Sequence, residues 1–540
     1  MEFDVMIVGA GPVGAVAANL AGMWGLRTLV VDKLLDVYDK PRAFGLDHEV
    51  MRVFDNVGIA GRIAGHVMPY RTSEYHGAGG RVIKRIAPAS EPYPLGWAPN
   101  YVFSQPAVEG ALRARLGERP GVRLELGTEA LSVTALDDGY AVRLRDRNGA
   151  EREVRGRYVL ACDGGTSSLR GKLGLEMEDL KFDEPWMVVD VIVSQEALDK
   201  LPATNIQYCE TERPCTYVVG PGRHRRWEFM INPDETPAGI AQPEAVGKLL
   251  SRWLAPGEYE IWRASSYRFH ALILKSWREG GQFFLGDAAH MTPPFMAQGM
   301  CQGIRDASNL VWKLAMVHRG LASPALLDSY QEERLPHVRQ TTLVTKEFGQ
   351  VICERDPARA EARDQAMLAE MARASGPTVR QSLIPGLSGG FLAPLDSVGA
   401  RGALFPQPMV SDHSGRGGLL DSFTGLAFRV VVAAGVDLAP FEAAVRASPV
   451  LAGLPLAFVR LRGEGVREAA GLHDYQEQGP LLRDWMAGRQ CRVVVVRPDH
   501  YVFGTAATEA EGLQLLNALR EKLAGHDGQG VAADHGLNMA

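Results

Sequence analysis

Asp4-Val-Met-Ile-Val-Gly9-Ala-Gly11-Pro-Val-Gly14, near the start of the chain, decides the fold. The apolar run ending in Gly9 has the length of a buried parallel strand. An alanine-rich stretch to about Trp24 then reads as a helix, and Arg27-Thr-Leu-Val-Val-Asp32 as a second strand. Strand, Gly-rich turn, helix and a second strand ending in an acid form the α/β unit that binds dinucleotides. Gly9 permits the tight turn, Gly11 lets a pyrophosphate approach the backbone, and Gly14 lets helix and strand pack closely. The helix N-terminus offers free N–H groups to the phosphates. Asp32 is placed to accept hydrogen bonds from a ribose, with Lys33 beside it on the cofactor side. A GxGxxG string alone is weak in a chain with 59 glycines; the strand before it and the helix after it carry the assignment.

At 540 residues the chain exceeds one ordinary hydrophobic core, so two or three domains are expected. The formal charge is −6, and no basic tract tracks a phosphate backbone, which argues against nucleic acid as a partner. Six cysteines without C-x-x-C spacing suggest neither a disulfide framework nor a metal site. Val5 to Leu26 carries no charge, but its glycines and Pro12 break it up, and Glu2 and Asp4 replace the basic flank of a signal peptide. No membrane association is expected, and a cytoplasmic location fits.

Two further segments separate FAD from NAD. Tyr158-Val-Leu-Ala-Cys-Asp163-Gly-Gly is an apolar strand running into an Asp-Gly turn. Phe283-Phe-Leu-Gly286-Asp287-Ala-Ala-His290-Met-Thr-Pro293-Pro294-Phe295 leads through Gln298-Gly299-Met300-Cys301 into a helix carrying Asp306, Asn309, Trp312 and Lys313. With these three signatures in order over residues 4 to 345, the chain resembles the single-component FAD-dependent aromatic hydroxylases of the p-hydroxybenzoate hydroxylase type. Within them it is most similar to the 3-(3-hydroxyphenyl)propionate hydroxylases, through Asp39-Lys-Pro41-Arg42-Ala, Arg225-Arg226-Trp227-Glu228-Phe229-Met230 and, more loosely, Gly402 to Pro408 and Arg497 to Gly504.

The resemblance implies an α/β fold: a Rossmann-like FAD-binding domain, an inserted antiparallel-sheet substrate domain and a C-terminal thioredoxin-like domain. The expected boundaries are 1–75, 101–180 and 272–375 for the FAD domain, 76–100 and 181–271 for the substrate domain, 376–418 for a Gly/Pro/Ser-rich linker, and 419–540 for the last domain. Lacking C-x-x-C, that last domain has no dithiol chemistry. A homodimer is left open.

Several site roles follow from the same resemblance. Asp287, after Gly286, accepts from ribitol hydroxyls. Gly299, Met300 and Cys301 aim backbone N–H groups at the flavin N1/O2 edge. Arg42 lies over the diphosphate, Gln105 reaches the cofactor, and Asp163 touches FAD and the nicotinamide nucleotide. His290, Asn309, Trp312 and Lys313 are read as packing.

Hydroxylation of a phenol by O2 needs a cofactor to activate oxygen. The family's reduced flavin does so as a C4a-hydroperoxide, with NADH or NADPH as electron donor. The electron-rich ring calls for a proton acceptor at the phenol. Tyr208 takes that role by resemblance, with an ordinary sheet aromatic as the alternative; Asp47 and His48 are candidate polar groups beside the flavin. The carbonyl of Pro294 approaches the transferring oxygen, and Tyr217, Trp227, Phe229 and Phe295 supply apolar walls. Arg213, Arg223, His224 and Arg225 are candidate partners for a substrate carboxylate. The competing classes are a flavin oxidoreductase or dehydrogenase that inserts no oxygen and a non-catalytic flavin-binding sensor. The halogenase W-x-W-x-I-P motif is missing.

Overall fold

Strand Phe3–Val8 is buried along its whole length between Thr28–Asp32 and Glu151–Ala161, parallel to both, with Val5 opposite Thr28 and Tyr158. The computed structural model describes residues 1–70, 72–394, 396–462 and 471–525. In the first sheet the order is Arg278–Glu279, Gln282–Phe284, Glu151–Ala161, Phe3–Val8, Thr28–Asp32 and Val122–Leu126, and four consecutive pairs of it are parallel. Parallel strands covered on both faces read as continuous apolar runs, which is why Asp4 to Val8 and Tyr158 to Ala161 were legible. The helix Pro12–Met23 starts immediately after Gly11.

The second sheet has nine strands in the order His290–Met291, Tyr259–Leu274, Met177–Val193, His224–Met230, Cys215–Val219, Asn205–Tyr208, Ser73–His76, Val82–Ala87 and Thr378–Val379. Most pairs are antiparallel, but Asn205–Tyr208 runs parallel to Ser73–His76 and Thr378–Val379 parallel to Val82–Ala87. One face carries an apolar core that includes Met187, Val189, Val191, Ile206, Tyr208, Tyr217, Trp227 and Phe229. The alternate residues face the other way, as the two-residue period of a strand demands.

Chain contacts divide into two units: 1–312, 331–388 and 406–408 in the first, 313–330, 389–405 and 409 onward in the second. The boundary between the two units falls within the stretch 376–418 expected as an interdomain linker, and much of that stretch is packed. Thr378–Val379 is an edge strand of the second sheet, and Leu387, Phe391, Leu392 and Phe405 are buried. Glycine and proline mark irregular backbone, and irregular backbone can pack as tightly as a helix. The second sheet begins at Ser73, three residues before the boundary expected for the substrate domain.

In the second unit a seven-stranded sheet runs Gly417–Leu419, Met409–Ser411, Asp474–Glu477, Leu456–Leu461, Phe428–Val432, Val493–Val496 and Val502–Ala506. Phe428–Val432 is parallel to Leu456–Leu461 and antiparallel to Val493–Val496. Of the expected last domain, 463–470 and 526–540 lie outside the described residues.

Candidate active site

A cavity of about 760 Å³ lies within the first unit, between the C-terminal ends of the parallel strands and the polar face of the second sheet. At its cofactor end the three glycines have separate reasons. Gly9 has φ +102°, and a Cβ there would sit 2.3 Å from the Cys162 carbonyl oxygen. A Cβ on Gly14 would sit 1.9 Å from the Gly9 carbonyl oxygen, so helix and strand touch there. Gly11 lines the cavity and a Cβ on it would meet nothing within 4 Å, so any side chain would project into the open space.

Asp32 closes the turn it follows. Its carboxylate accepts from Ala10 N and Leu34 N, each at 2.8 Å, and still lines the cavity with Lys33. Arg42 is exposed at the cavity, on a loop gripped from both sides. Gln105 Oε1 accepts from Arg42 N at 3.1 Å and Ala43 N at 2.6 Å. Arg226, paired with the buried Asp190, donates to the Arg42 and Pro41 carbonyls at 2.9 and 3.0 Å, and Arg263 also donates to Pro41. Asp163 Oδ2 accepts from Leu169 N at 3.3 Å, while its buried Oδ1 has no protein partner. The Asp287 carboxylate opens to the cavity with no protein hydrogen bond, and the surrounding protein raises its pKa against the opposing charges of His290 and Arg42. Gly299 and Met300 line the same space at the start of the helix Gly299–His318. The unsatisfied buried oxygen of Asp163, an open glycine cradle and the unpartnered Asp287 carboxylate along one wall are what an FAD with its ribose, ribitol and diphosphate groups would complete.

At the other end the alternation of the second sheet decides which side chains are available. Asn205, Gln207, Thr216, Val218, Arg226 and Glu228 face the cavity. Tyr208, Tyr217, Trp227 and Phe229 are their neighbours in sequence and therefore point into the apolar core on the opposite face. Tyr208 does not reach the cavity: its hydroxyl accepts from Trp253 Nε1 at 3.4 Å, and Arg252 lies 4.8 Å from its ring centroid. Of the expected apolar walls only Phe295 lines the cavity, edge-on to Trp186 and Phe269, with Pro294 next to it.

Asp47 and His48 are not at the cavity surface. Asp47 caps the helix His48–Asn56 by accepting from Val50 N, and pairs with Arg305 at 2.6 Å. Burial alone would raise its carboxyl; Arg305 and His48 hold it below the usual value. Burial lowers His48 to about 4. The expected carboxylate partners also lie elsewhere. Arg213 pairs with Glu235 at 2.6 Å, His224 with Asp190 at 2.8 Å, Arg225 donates to the carbonyls of Gly220, Gly222 and His224, and Arg223 to that of Val193.

Sequence reasoning missed Tyr70, Gln207, Glu228, Arg263 and Arg380, all of which line the cavity. Arg380 donates to the Tyr70 hydroxyl and the Met296 carbonyl, and its buried Nε has no protein partner. Burial raises the Tyr70 pKa and Arg380 opposes that rise. Burial raises Glu228 as well, with Arg226 opposing. Only an alternation count on the strand His224–Met230 could have flagged Glu228 in advance. His290 is structural, paired at 2.7 Å with Asp306, whose other oxygen takes Arg334 at 2.9 Å. Among the described residues no group of three acids, histidines or cysteines could hold a metal, and no helix is long and apolar enough to cross a membrane.

Comparison with known proteins supplies the remaining findings. An FAD binding domain model matches residues 2–345 and an HcaD C-terminal domain model matches residues 402–522. The chain is 35% identical over 516 residues to a Rhodococcus jostii protein named "Probable NADH-specific resorcinol 4-hydroxylase", covering 94% of this chain and 93% of that one. It is 31% identical over 567 residues to the 3-(3-hydroxy-phenyl)propionate/3-hydroxycinnamic acid hydroxylase of Comamonas testosteroni, covering 94% and 95%. In fold it is similar to the flavin-dependent monooxygenase PieE solved with FAD and substrate, with a TM-score of 0.81 at 19% identity over 98% of this chain and 100% of that one. Aklavinone-11 hydroxylase solved with FAD and aklavinone gives 0.77 at 22% identity, over 97% and 99%.

Proposed function

This chain belongs to the FAD binding domain family, among the flavin-dependent aromatic hydroxylases, and from that premise we propose a division of labour in its cavity. Gly11, Asp32, Arg42, Asp163, Asp287, Gly299 and Met300 would hold FAD, and the polar face of the second sheet with Tyr70, Phe295 and Arg380 would hold a phenol. The enzyme is a monooxygenase that consumes a reduced nicotinamide nucleotide and places one atom of O2 on a phenolic ring. Bound FAD supplies the two-electron transfer and the oxygen activation that a phenol by itself lacks.

The chain's own residues prepare the substrate. Because Tyr70 accepts from Arg380, its own O–H is left to donate to a substrate oxygen. The Arg380 guanidinium favours the ionised form of a phenol held there, and a phenolate ring is the better electron donor. Phe295, Trp186 and Phe269 keep water from that end of the cavity, and Pro294 fixes the loop without offering an N–H.

The observation that carries this reading is the Tyr70–Arg380 pair inside a cavity whose other end has the form of a dinucleotide cradle. The substrate class is a small phenol with a second oxygen or a short acidic side chain meta to the hydroxyl, in keeping with the names of both relatives, and NADH is the donor. The six free cysteines agree with a reducing cytoplasm. In the second unit three parallel strands, Asp474–Glu477, Leu456–Leu461 and Phe428–Val432, are extended by the antiparallel Val493–Val496 and Val502–Ala506, which supports a thioredoxin-like reading with a structural role.

The test is a phenol panel including resorcinol and 3-(3-hydroxyphenyl)propionate, scored by NADH and O2 consumption with product identification. Phenol-dependent consumption of both, with a catechol- or hydroquinone-type product, is expected. NADH oxidation that never takes up O2 would instead mark a dehydrogenase, and failure of NADH to reduce the bound FAD would mark a sensor.

A further inference from the structure

Behind the cavity, the turn that leads into the helix Gly299–His318 is bent and closely held. Ala297 is left-handed, at φ 50° and ψ 39°, a conformation that an alanine adopts only when its surroundings impose it. Gly45 makes room for it: a Cβ on Gly45 would lie 2.8 Å from the Ala297 Cβ. Gln298 follows, with no exposed surface. Its Nε2 donates to Asp47 Oδ2 at 3.3 Å, and its Oε1 accepts from Arg305 Nη1 at 3.0 Å. Arg305, about two turns further along in the helix that follows, donates through Nη2 to Asp47 Oδ2 at 2.6 Å and through Nε to Glu49. Asp47 is anchored by Val50 N at 3.1 Å. The three side chains close a ring that ties the residue immediately before the helix to the helix body and to the cap of another helix.

The side chains of Gln298, Asp47, Arg305 and Glu49 do not line the cavity, yet Ala297 on one side and Gly299 and Met300 on the other, which they fix, do. The free N–H groups of a helix's first turn stabilise negative charge only if they are held in direction, because their dipoles act over a few ångströms. We infer that Gln298, Asp47 and Arg305 are positioning residues that hold this turn so that its N–H groups favour the reduced, anionic form of FAD over the oxidised one. The inference rests on the placement of FAD proposed above. Its consequence is a redox potential set by a buried polar ring that touches neither cofactor nor substrate.

The test is the midpoint potential of FAD bound to the full-length holoprotein, compared between wild type, Gln298→Met and Asp47→Asn. Gln298→Met keeps the volume and removes the side-chain hydrogen bonds to Asp47, Arg305 and the Met296 carbonyl; Asp47→Asn keeps the shape and halves the charge pairing. Each is expected to shift the reduced-to-oxidised ratio about tenfold toward oxidised FAD, a fall of about 30 mV for a two-electron couple. Should either variant purify without FAD, its affinities for oxidised and reduced FAD, titrated anaerobically onto the apoprotein, yield the same ratio. Should Gln298→Met fail to fold, Asp47→Asn carries the test. A ratio within twofold of wild type, or equal loss of affinity for both forms, overturns the inference and leaves a purely structural role. Retention of FAD by Gly11→Val would overturn the cofactor placement instead, so the two failures are distinguishable.

Discussion

Arg380 donates a hydrogen bond to the hydroxyl oxygen of Tyr70 across 310 positions of sequence, inside the cavity. The two come from segments that neither the fingerprint nor the family signatures cover. Under the proposed division of the cavity, their pairing places a fixed positive charge and a directed O–H where a phenol would be held and ionised.

Loss of either partner is expected to damage hydroxylation more than cofactor binding. Tyr70→Phe should lower the rate of product formation by about 10²-fold, in the range for a positioned proton-handling group, with FAD content unchanged. Arg380→Met should also raise the apparent pKa at which phenol binds as phenolate. Product yield per NADH, measured from pH 6 to 10, checks both; full coupling in Tyr70→Phe would remove it from the mechanism.

Tyr208→Phe is expected to leave turnover intact. Its hydroxyl makes one long contact to Trp253 within the apolar core, so the change should cost less than about 1 kcal/mol of stability. Gln207→Leu, one residue earlier and facing the cavity, should raise KM for the phenol severalfold. Steady-state kinetics on the two variants decide which face of the strand meets substrate.

Gly11 and Gly14 of the fingerprint should fail in different ways. Gly11→Val points a side chain into open cavity and should fold normally while losing at least about a hundredfold in FAD affinity, near 3 kcal/mol. Gly14→Ala forces a Cβ against the Gly9 carbonyl oxygen at 1.9 Å and should destabilise the apoprotein itself. Thermal melts of the apoproteins, set beside FAD titrations, separate the outcomes.

His48 should make stability depend on acid. Burial depresses its pKa from 6.5 to about 4, so between those values the unfolded chain binds the extra proton and the folded one does not. Stability therefore rises with pH through that window, and the full contribution is present above 6.5. It is lost as pH falls toward 4, by roughly 3 kcal/mol. The difference between wild type and His48→Gln, measured by chemical denaturation from pH 4 to 7, should shrink as the pH drops. A difference that does not change with pH would show that His48 titrates normally.

What the sequence determined by itself was the cofactor half. Gly9, Gly11 and Gly14 are bound to a strand and a helix only a few residues away, and Asp32, Asp163 and Asp287 lie at, or within three residues beyond, the ends of strands of one sheet. Local backbone geometry dictates those residue types, so their spacing is readable without any tertiary contact. Which side chains line the other end of the cavity was decided by the tertiary structure alone, for two physical reasons. Side chains on a strand alternate between faces, so the step from Gln207 to Tyr208, or from Glu228 to Phe229, exchanges cavity for core, and a pattern of apolar and polar residues does not say which face the cofactor occupies. Arg380 lies in a glycine- and proline-rich stretch whose composition marks only irregular backbone. Its meeting with Tyr70 and Met296 depends on how the chain returns to the second sheet, which no local spacing encodes.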